Sequence, residues 1–345
     1  MQHDEPPQGD EQREYPSLKI TGFGDINYLS THSPEGARGF TEGQFVLHMA
    51  SALSARTTFF GEISFTARAD AGTGTPATGG FNTEVERMIL RFDQSDRLKV
   101  SFGRYHTPIN FWNTAFHHGQ WLQTTATRPE MIQFGGRLLP VHFVGALIEG
   151  AVPAGGMNVH YQGGVGNGRS SVISRAGDPG DSNGKRAWLA TVFSKPDKLL
   201  GLQFGGSAYN DRVTLATARE FHERILSGHA VWQKENPELI AEVAGIRHEE
   251  VGGSVVTWSH AYYLQAAYRL TPFGRLWKPY YRFEHIAIPK TEVVFLGVPE
   301  LDGSTLGVRY DASLFAAIKG EFRSWTRSAG VPRNYGGFLQ LCFTF

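Results

Sequence analysis

The sequence has little of what would indicate a disulfide, a metal-binding motif or a transmembrane helix. Its one cysteine, Cys342, cannot form an intramolecular disulfide, and no group of cysteines and histidines has zinc or haem-attachment spacing. No stretch reaches the 18 or so consecutive apolar residues of a membrane-spanning helix; the best candidate, 141–152, is too short and contains Glu149. A helical membrane protein is therefore excluded, and we expect no metal and no cofactor.

A surplus of charge is also missing. Lysine and arginine together number 33, as do aspartate and glutamate, so the formal net charge is zero. This balance gives no indication of a nucleic-acid partner. Residues 1–16 are acidic, contain proline and glycine, and include no apolar segment of an export signal. They have too little apolar surface to offset the entropy of ordering, so we predict a disordered lead-in over 1–16.

What the sequence does have is alternation with a period of two residues. Within 58–68, Phe59 and Phe65 lie on one face and Glu62 and Arg68 on the other. Such segments are about ten residues long, which is the length of a tilted strand that crosses a bilayer. We predict about sixteen strands, near 18–29, 40–51, 57–68, 83–92, 97–105, 140–151, 156–165, 186–194, 199–209, 220–232, 237–248, 256–269, 276–287, 302–310, 314–323 and 334–345.

The connections between these strands alternate strictly between short turns and long loops. The short ones, such as Pro153-Ala-Gly-Gly156 and Glu235-Asn-Pro-Glu238, carry residues that favour tight reversals. Seven short turns and eight long loops are typical of an even-stranded antiparallel barrel with both termini on the short-turn side. A soluble sandwich or propeller is the alternative, but soluble strands are shorter and no repeat of blade length is present.

The chain ends in an amphipathic strand with an aromatic last residue. Its outward face is predicted to carry Tyr335, Leu339, Leu341, Phe343 and Phe345. A barrel needs a last strand that pairs with the first, here 18–28, because pairing removes the sheet edge. This ending resembles the assembly signal of bacterial outer-membrane barrels, although the polar and glycine positions, Asn334 and Gly336, sit four residues further from the end than in that family.

The layout of 17–345 resembles sixteen-stranded bacterial porins, including the phosphate-selective type. The stretch Ser101-Phe-Gly-Arg-Tyr-His-Thr-Pro108 is similar to the porin segment where a strand ending in Gly-Arg enters the third, constricting loop. The resemblance implies a passive diffusion pore in the bacterial outer membrane, with short periplasmic turns, long extracellular loops and a periplasmic lead-in. It also implies contact with outer-membrane lipids, insertion by the barrel-assembly machinery and a homo-trimer.

The third long connection, about 106–139, is where function is expected. Loops this long are uncommon unless they are functional or disordered, and this one contains enough aromatic residues to pack. The resemblance implies that it folds into the lumen and narrows it. The candidate constriction residues are His106, Asn110, Asn113, His117, His118, Gln120, Arg128 and Glu130.

The adjacent pair His117 and His118, with His106 nearby, has three interpretations. Neighbouring residues on an extended chain point in opposite directions, so both can face one ion only across a turn. Structural hydrogen bonding in a packed loop is favoured, and pore-lining polarity and a transition-metal contact remain open.

Charged residues on the inward faces of the strands should line the lumen. They are Lys19, Asp25, Glu62, Arg68, Lys278, Arg282, Glu284, Lys319, Glu321 and Arg323. The strands at 276–287 and 314–323 carry more cations than anions in this set, which predicts a weak preference for anions. One strand breaks the pattern, because Arg87 shares a face with Val85 and Ile89. Either Arg87 faces the lumen and Glu86, Met88 and Leu90 face outward, or that wall contacts another subunit.

Two further functions were weighed against the pore. A scaffold barrel would hold a partner protein of an outer-membrane complex inside or against its wall. An enzyme barrel would need a nucleophile and base on adjacent strands. The remaining histidines, for example His48, His229 and His248, are scattered without a nucleophile motif, so we expect no catalytic activity.

Overall fold

The computed structural model describes residues 14–32, 38–67, 80–133, 137–169, 171–174, 177–181, 183–328 and 331–345, which form one closed barrel. The strands are β1 Ser17–Thr31, β2 Gly39–Ala52, β3 Thr57–Ala67, β4 Phe81–Ser95, β5 Leu98–His106, β6 His142–Val152, β7 Val159–Asn167, β8 Arg186–Ser194, β9 Leu202–Thr214, β10 Glu220–Gln233, β11 Glu238–Glu250, β12 Val256–Ala267, β13 Trp277–Ala287, β14 Leu301–Asp311, β15 Ala316–Thr326 and β16 Asn334–Thr344. One short helix, α1 Trp112–Ala115, follows β5. Among the described residues, no helix is long and apolar enough to span a membrane.

Each strand pairs antiparallel with its neighbours in sequence, and β16 pairs with β1. The predicted sixteen-stranded all-β barrel is therefore confirmed, with strand ends displaced by at most a few residues. Ser17 pairs with Ala52 beside the turn 53–56, so the chain enters the barrel on the short-turn side. Of the predicted lead-in, 14–16 are exposed, and 1–13 lie outside the described residues.

The last strand closes the barrel as its pattern predicts. Leu339 and Leu341 are exposed on the outer face, whereas Gln340 and Cys342 are buried inside. Phe345 exchanges two backbone hydrogen bonds with Gly22, of 2.9 and 3.1 Å. A Cβ on Gly22 would lie 2.1 Å from the Phe345 ring, so the terminal aromatic covers the position that glycine leaves open.

The strict alternation of connection lengths is wrong in the middle of the chain. Strand β9 continues to Thr214, so the connection 215–219 is shorter than 195–201 on the opposite side. The polar run Asn210-Asp-Arg212 is typical of a loop in its sequence. In the structure, however, Asp211 is buried inside the barrel, where an inward side chain can be polar. Polarity alone therefore does not mark a strand end when the inner face is itself polar.

A β-bulge resolves the orientation of Arg87. The pairing of β3 with β4 shifts between Glu62↔Arg87 and Ile63↔Val85, which makes Glu86 an extra residue. Arg87 faces inward and forms an ion pair with Glu62, while Met88 and Leu90 are exposed on the outside. Because a bulge places two successive side chains on one face, Glu86 also points inward, and the prediction that it faces outward with Met88 and Leu90 is wrong. No subunit contact is needed to explain this wall.

The apolar core lies inside the barrel. Residues 107–141 are here called the lumen loop. Their described parts, 107–133 and 137–141, fold into the barrel and bury Trp112, Ile132 and Leu138 against inward side chains such as Tyr263 on β12. Backbone hydrogen bonding between Thr107 and Val141 (2.9 Å) holds the two ends of the loop together. The longest connection therefore packs inside the lumen and does not extend into solvent as an exposed loop.

Candidate functional site

The lumen loop is attached to the wall around most of the barrel. At its start, Thr191 on β8 donates a 2.5 Å hydrogen bond to Pro108 O. Glu242 on β11 accepts 2.7 Å bonds from the backbone N–H groups of Phe111 and Trp112, where α1 begins. Two short hydrogen bonds to one carboxyl oxygen therefore attach the start of α1 to the wall.

A second attachment is formed by charged residues on β13 and β15. Glu321 accepts hydrogen bonds from Ala126 N (2.7 Å) and from Thr127 N and Oγ1, at 3.1 and 2.7 Å. Lys319 donates to the carbonyl oxygens of Gln120 (2.5 Å) and Thr125 (3.0 Å). Arg282 donates to the same turn and lies 3.3 Å from Glu284. These side chains are almost completely buried, so in this conformation they contact the loop and not open water.

The other predicted wall residues are spread along the lumen. Asp25 is buried and accepts a 3.0 Å bond from Gln44 N, and Lys278 pairs with Glu235 and Glu238. Arg323 lies 3.5 Å from Glu284. Lys19 is exposed near the start of β1, and Arg68 lies outside the described residues. Their role as pore lining stays a prediction.

The predicted constriction residues divide into two groups. Asn110, Gln120, Arg128 and Glu130 are attached to the wall or to the loop itself; Glu130 N, for example, donates a 2.6 Å bond to Glu284. Gln120 and Arg128 also line a cavity of about 300 Å³ between the loop and strands β1, β2 and β16. The second group, Asn113 with three histidines, lies where the loop meets β4, β5 and β6.

A larger cavity lies towards the short turns. It measures about 620 Å³ and is lined by Lys99, Glu149, His160 and Gln162, among others. Its lining includes no described residue of the lumen loop, so it is separate from the cavity beside Gln120 and Arg128.

Five ionisable residues converge at the junction of loop and wall. Glu86, His106, His117, His118 and His142, here called the histidine cluster, each offer one potential ligand atom, and these atoms all lie within 4.8 Å of one another. The Nε2 atoms of His118 and His142 are 3.2 and 2.8 Å from Glu86 Oε2. The ring centroids of His106 and His117 are only 4.0 Å apart.

A bend after α1 lets the adjacent histidines face one point. Residues 116–118 form this bend, and both His117 and His118 are buried. The condition for a shared site, a turn at the pair, is therefore met. Burial, with the neighbouring histidines, holds the pKa of His117 well below its ordinary value, so this imidazole is neutral at pH 7.

Hydrogen bonds fix which ring nitrogen of His117 carries the proton. Asn113 Nδ2 donates to the carbonyl oxygens of Thr107 (2.8 Å) and Val141 (3.0 Å), so its Oδ1 must accept. His117 Nδ1, 2.8 Å from that oxygen, is then the donor, and the lone pair is left on Nε2. His118 Nδ1 lies 3.1 Å from Gln44 Oε1 in the same way.

The cluster lies beside an interruption of the wall. Strand β5 pairs with β4 only from Met88 towards the short turns, so 81–87 carry no ladder to β5. A cavity of about 750 Å³ occupies this place and is lined by Glu86, His142 and Arg104, among others. Arg104 lies 3.4 Å from Glu86 and 2.8 Å from Asp178.

The sequence alone did not single out Glu86, His142 or Glu242. His142 becomes a partner of His106 only through the β5–β6 register, which pairs these two residues. Glu86 faces the lumen only because of the bulge in β4. Glu242 had a signal, because it is a charged residue in the middle of β11 between the apolar inward residues Ile240, Ala244 and Ile246.

No family model matches the sequence, and no curated protein matches it either. Solved structures match in fold. An anion-selective porin from Comamonas acidovorans has a TM-score of 0.68 at 11% identity, covering 96% of this chain and 100% of that one. The outer membrane channel DcaP of Acinetobacter baumannii has a TM-score of 0.62 at 9% identity, covering 96% and 97%. The in-vitro folded, trimeric form of OmpT from Vibrio cholerae has a TM-score of 0.60 at 13% identity, covering 96% and 100%. The resemblance to sixteen-stranded porins is thus confirmed for the fold.

Proposed function

We propose that this chain is a passive diffusion channel for small hydrophilic solutes or ions in the outer membrane of a bacterium. The observation that carries the proposal is a closed barrel with an apolar outer face, a lumen lined by polar and charged side chains, and two separate cavities of about 620 and 300 Å³ beside that wall. A polar lumen with an apolar outer face is the arrangement of water-filled transmembrane barrels. The proposal includes insertion into lipid by the barrel-assembly machinery, with the last strand, 334–345, as the signal.

Assembly as a homo-trimer belongs to the same proposal. It is supported by the trimeric form of one structure with the same fold.

The scaffold barrel is the second candidate, and one observation favours it. Arg282, Lys319 and Glu321 are buried by the loop, so the lumen is densely filled at this level. A scaffold barrel that holds a partner protein does not need a conducting path. A channel does, so in a channel the loop has to leave a continuous route between the two cavities.

Planar-bilayer recording of the purified, folded protein separates these functions. We expect discrete conductance steps, because a channel conducts on its own. A scaffold barrel without its partner protein should show none. Under a salt gradient we expect a weak anion preference, from the cationic excess of Lys278, Arg282, Lys319 and Arg323 over Glu284 and Glu321. Absence of steps from folded protein would contradict the channel, and a reversal potential of the cation-selective sign would contradict the preference alone.

A further inference from the structure

We propose that the histidine cluster binds a divalent first-row transition ion, of which Zn²⁺ and Cu²⁺ are the best matched. The proposal does not depend on whether the barrel conducts. Imidazole suits zinc, copper, nickel and iron, whereas magnesium and calcium take oxygen ligands. Four imidazoles and one carboxylate therefore select the transition metals.

The spacing of the donors suits one ion. Zinc binds imidazole nitrogen at about 2.0–2.1 Å, so donors around a tetrahedral ion lie about 3.4 Å apart. The five potential ligand atoms already fall within 4.8 Å of one another before any ion draws them together. Glu86 supplies the only carboxylate of the group, and two of the histidines contact it already.

The protons are arranged for metal binding. The amide oxygen of Asn113 holds Nδ1–H of His117, which turns the Nε2 lone pair of that ring towards the cluster. Metal-binding histidines typically donate their second ring N–H to such an oxygen, which fixes the tautomer and the ring orientation. Neither ring nitrogen of the buried His106 forms a hydrogen bond with any described residue, although Nε2 lies 3.4 Å from Glu62 Oε2. Its Nδ1 in particular is open to a further partner.

The bulge in β4 places the carboxylate of Glu86 inside the barrel. Without Glu86, Glu62↔Arg87 and Ile63↔Val85 would be consecutive pairs of a regular ladder. The extra residue therefore adds an inward carboxylate to the wall without changing the orientation of the pairs around it. Bulges commonly re-aim a side chain next to a functional site.

An ion has both a route to the site and a defined effect there. The 750 Å³ cavity reaches Glu86 and His142 from the interruption between β4 and β5. The ligands come from β4, the last residue of β5, the first residue of β6 and the bend after α1 in the lumen loop. A bound ion would cross-link the loop to the wall at this point and hold it in its folded position.

Metal retention on the refolded protein tests the site. Protein freed of metal by a chelator is given Zn²⁺, Cu²⁺ or Mg²⁺, dialysed, and assayed for metal per chain. We expect one Zn²⁺ or Cu²⁺ per chain and no Mg²⁺. A His117→Gln/His142→Gln variant should lose this ion, whereas the control His160→Gln/His229→Gln, which removes two lumen histidines outside the cluster, should keep it.

Two further measurements keep the test decisive if the double variant folds poorly. Asn113→Ala leaves every ligand in place and should weaken the affinity about 10–100-fold, because it removes the hydrogen bond that orients the His117 ring. Co²⁺ bound to the wild type should show the absorption bands of a site with nitrogen ligands, which the four histidines would provide beside the oxygen of Glu86. Retention of no transition metal by the folded wild type, or equal loss from cluster and control variants, would overturn the proposal.

Discussion

An Arg282→Ala variant will show larger and noisier conductance steps than the wild type. The Arg282 guanidinium is fully buried and donates to Thr125 Oγ1 (3.1 Å), Thr127 O (2.7 Å), Thr127 Oγ1 (3.0 Å) and Arg128 O (3.2 Å). Removing one member of a buried charged network costs about 3–5 kcal/mol, because its partners stay buried without compensation. The turn at 125–128 should therefore leave the wall for part of the time.

An Arg282→Lys variant should not restore the wild-type conductance steps. A single ammonium cannot reproduce the planar fork with which Arg282 reaches three residues of the loop. The matched control is Arg219→Ala, since Arg219 pairs with Glu250 at the surface, where water screens the attraction between the two charges. Unchanged conductance in R282A, or an equal change in R219A, would show that the turn is not held by this guanidinium.

A Trp112→Ala variant is expected to loosen the first half of the lumen loop. Trp112 is fully buried and packs edge-on against Phe116 (5.0 Å between ring centroids) and Tyr263 (6.1 Å). Truncating a buried tryptophan costs about 3–5 kcal/mol. Since every 1.4 kcal/mol is tenfold, amide exchange at 111–116 should accelerate about 100-fold or more, as measured by hydrogen-exchange mass spectrometry.

The barrel itself should not share this effect. Amides of β10 and β11, which face the loop but pair with each other, should exchange as in the wild type. Trp258→Ala serves as the control, because Trp258 is 61% exposed on the outer wall. Acceleration in the strands equal to that in the loop would mean that Trp112 stabilises the whole barrel and not the loop.

The strands and the closure of the barrel could be predicted because the alternation of neighbouring residues determines which side chains face the lumen and which face outward. In β16, the exposed Leu339 and Leu341 alternate with the buried Gln340 and Cys342, and lipid and water impose that pattern on neighbouring residues. The same rule identified Glu62, Lys319 and Glu321 as inward residues. It failed at the end of β9, where the inward Asp211 resembles a loop residue.

The path of the lumen loop and the histidine cluster could not be predicted from local pattern. The contact of Ala126 with Glu321 joins residues far apart in sequence, and nothing near either one specifies it. Glu86 and His142 meet only because of a one-residue bulge in β4 and the register of β5 with β6. Both features are set by pairing between strands, which a single sequence does not reveal.

The central claim is that the lumen loop sets the size of what passes. Its ends are joined by the backbone hydrogen bond between Thr107 and Val141, so 109–139 can be replaced by a short Gly-Ser linker without opening the barrel. The most direct measurement is the flux of a graded series of sugars into liposomes that contain either protein. The account predicts that the wild type passes only the smaller sugars and that the shortened variant also passes larger ones. An identical size limit in the two proteins would contradict it.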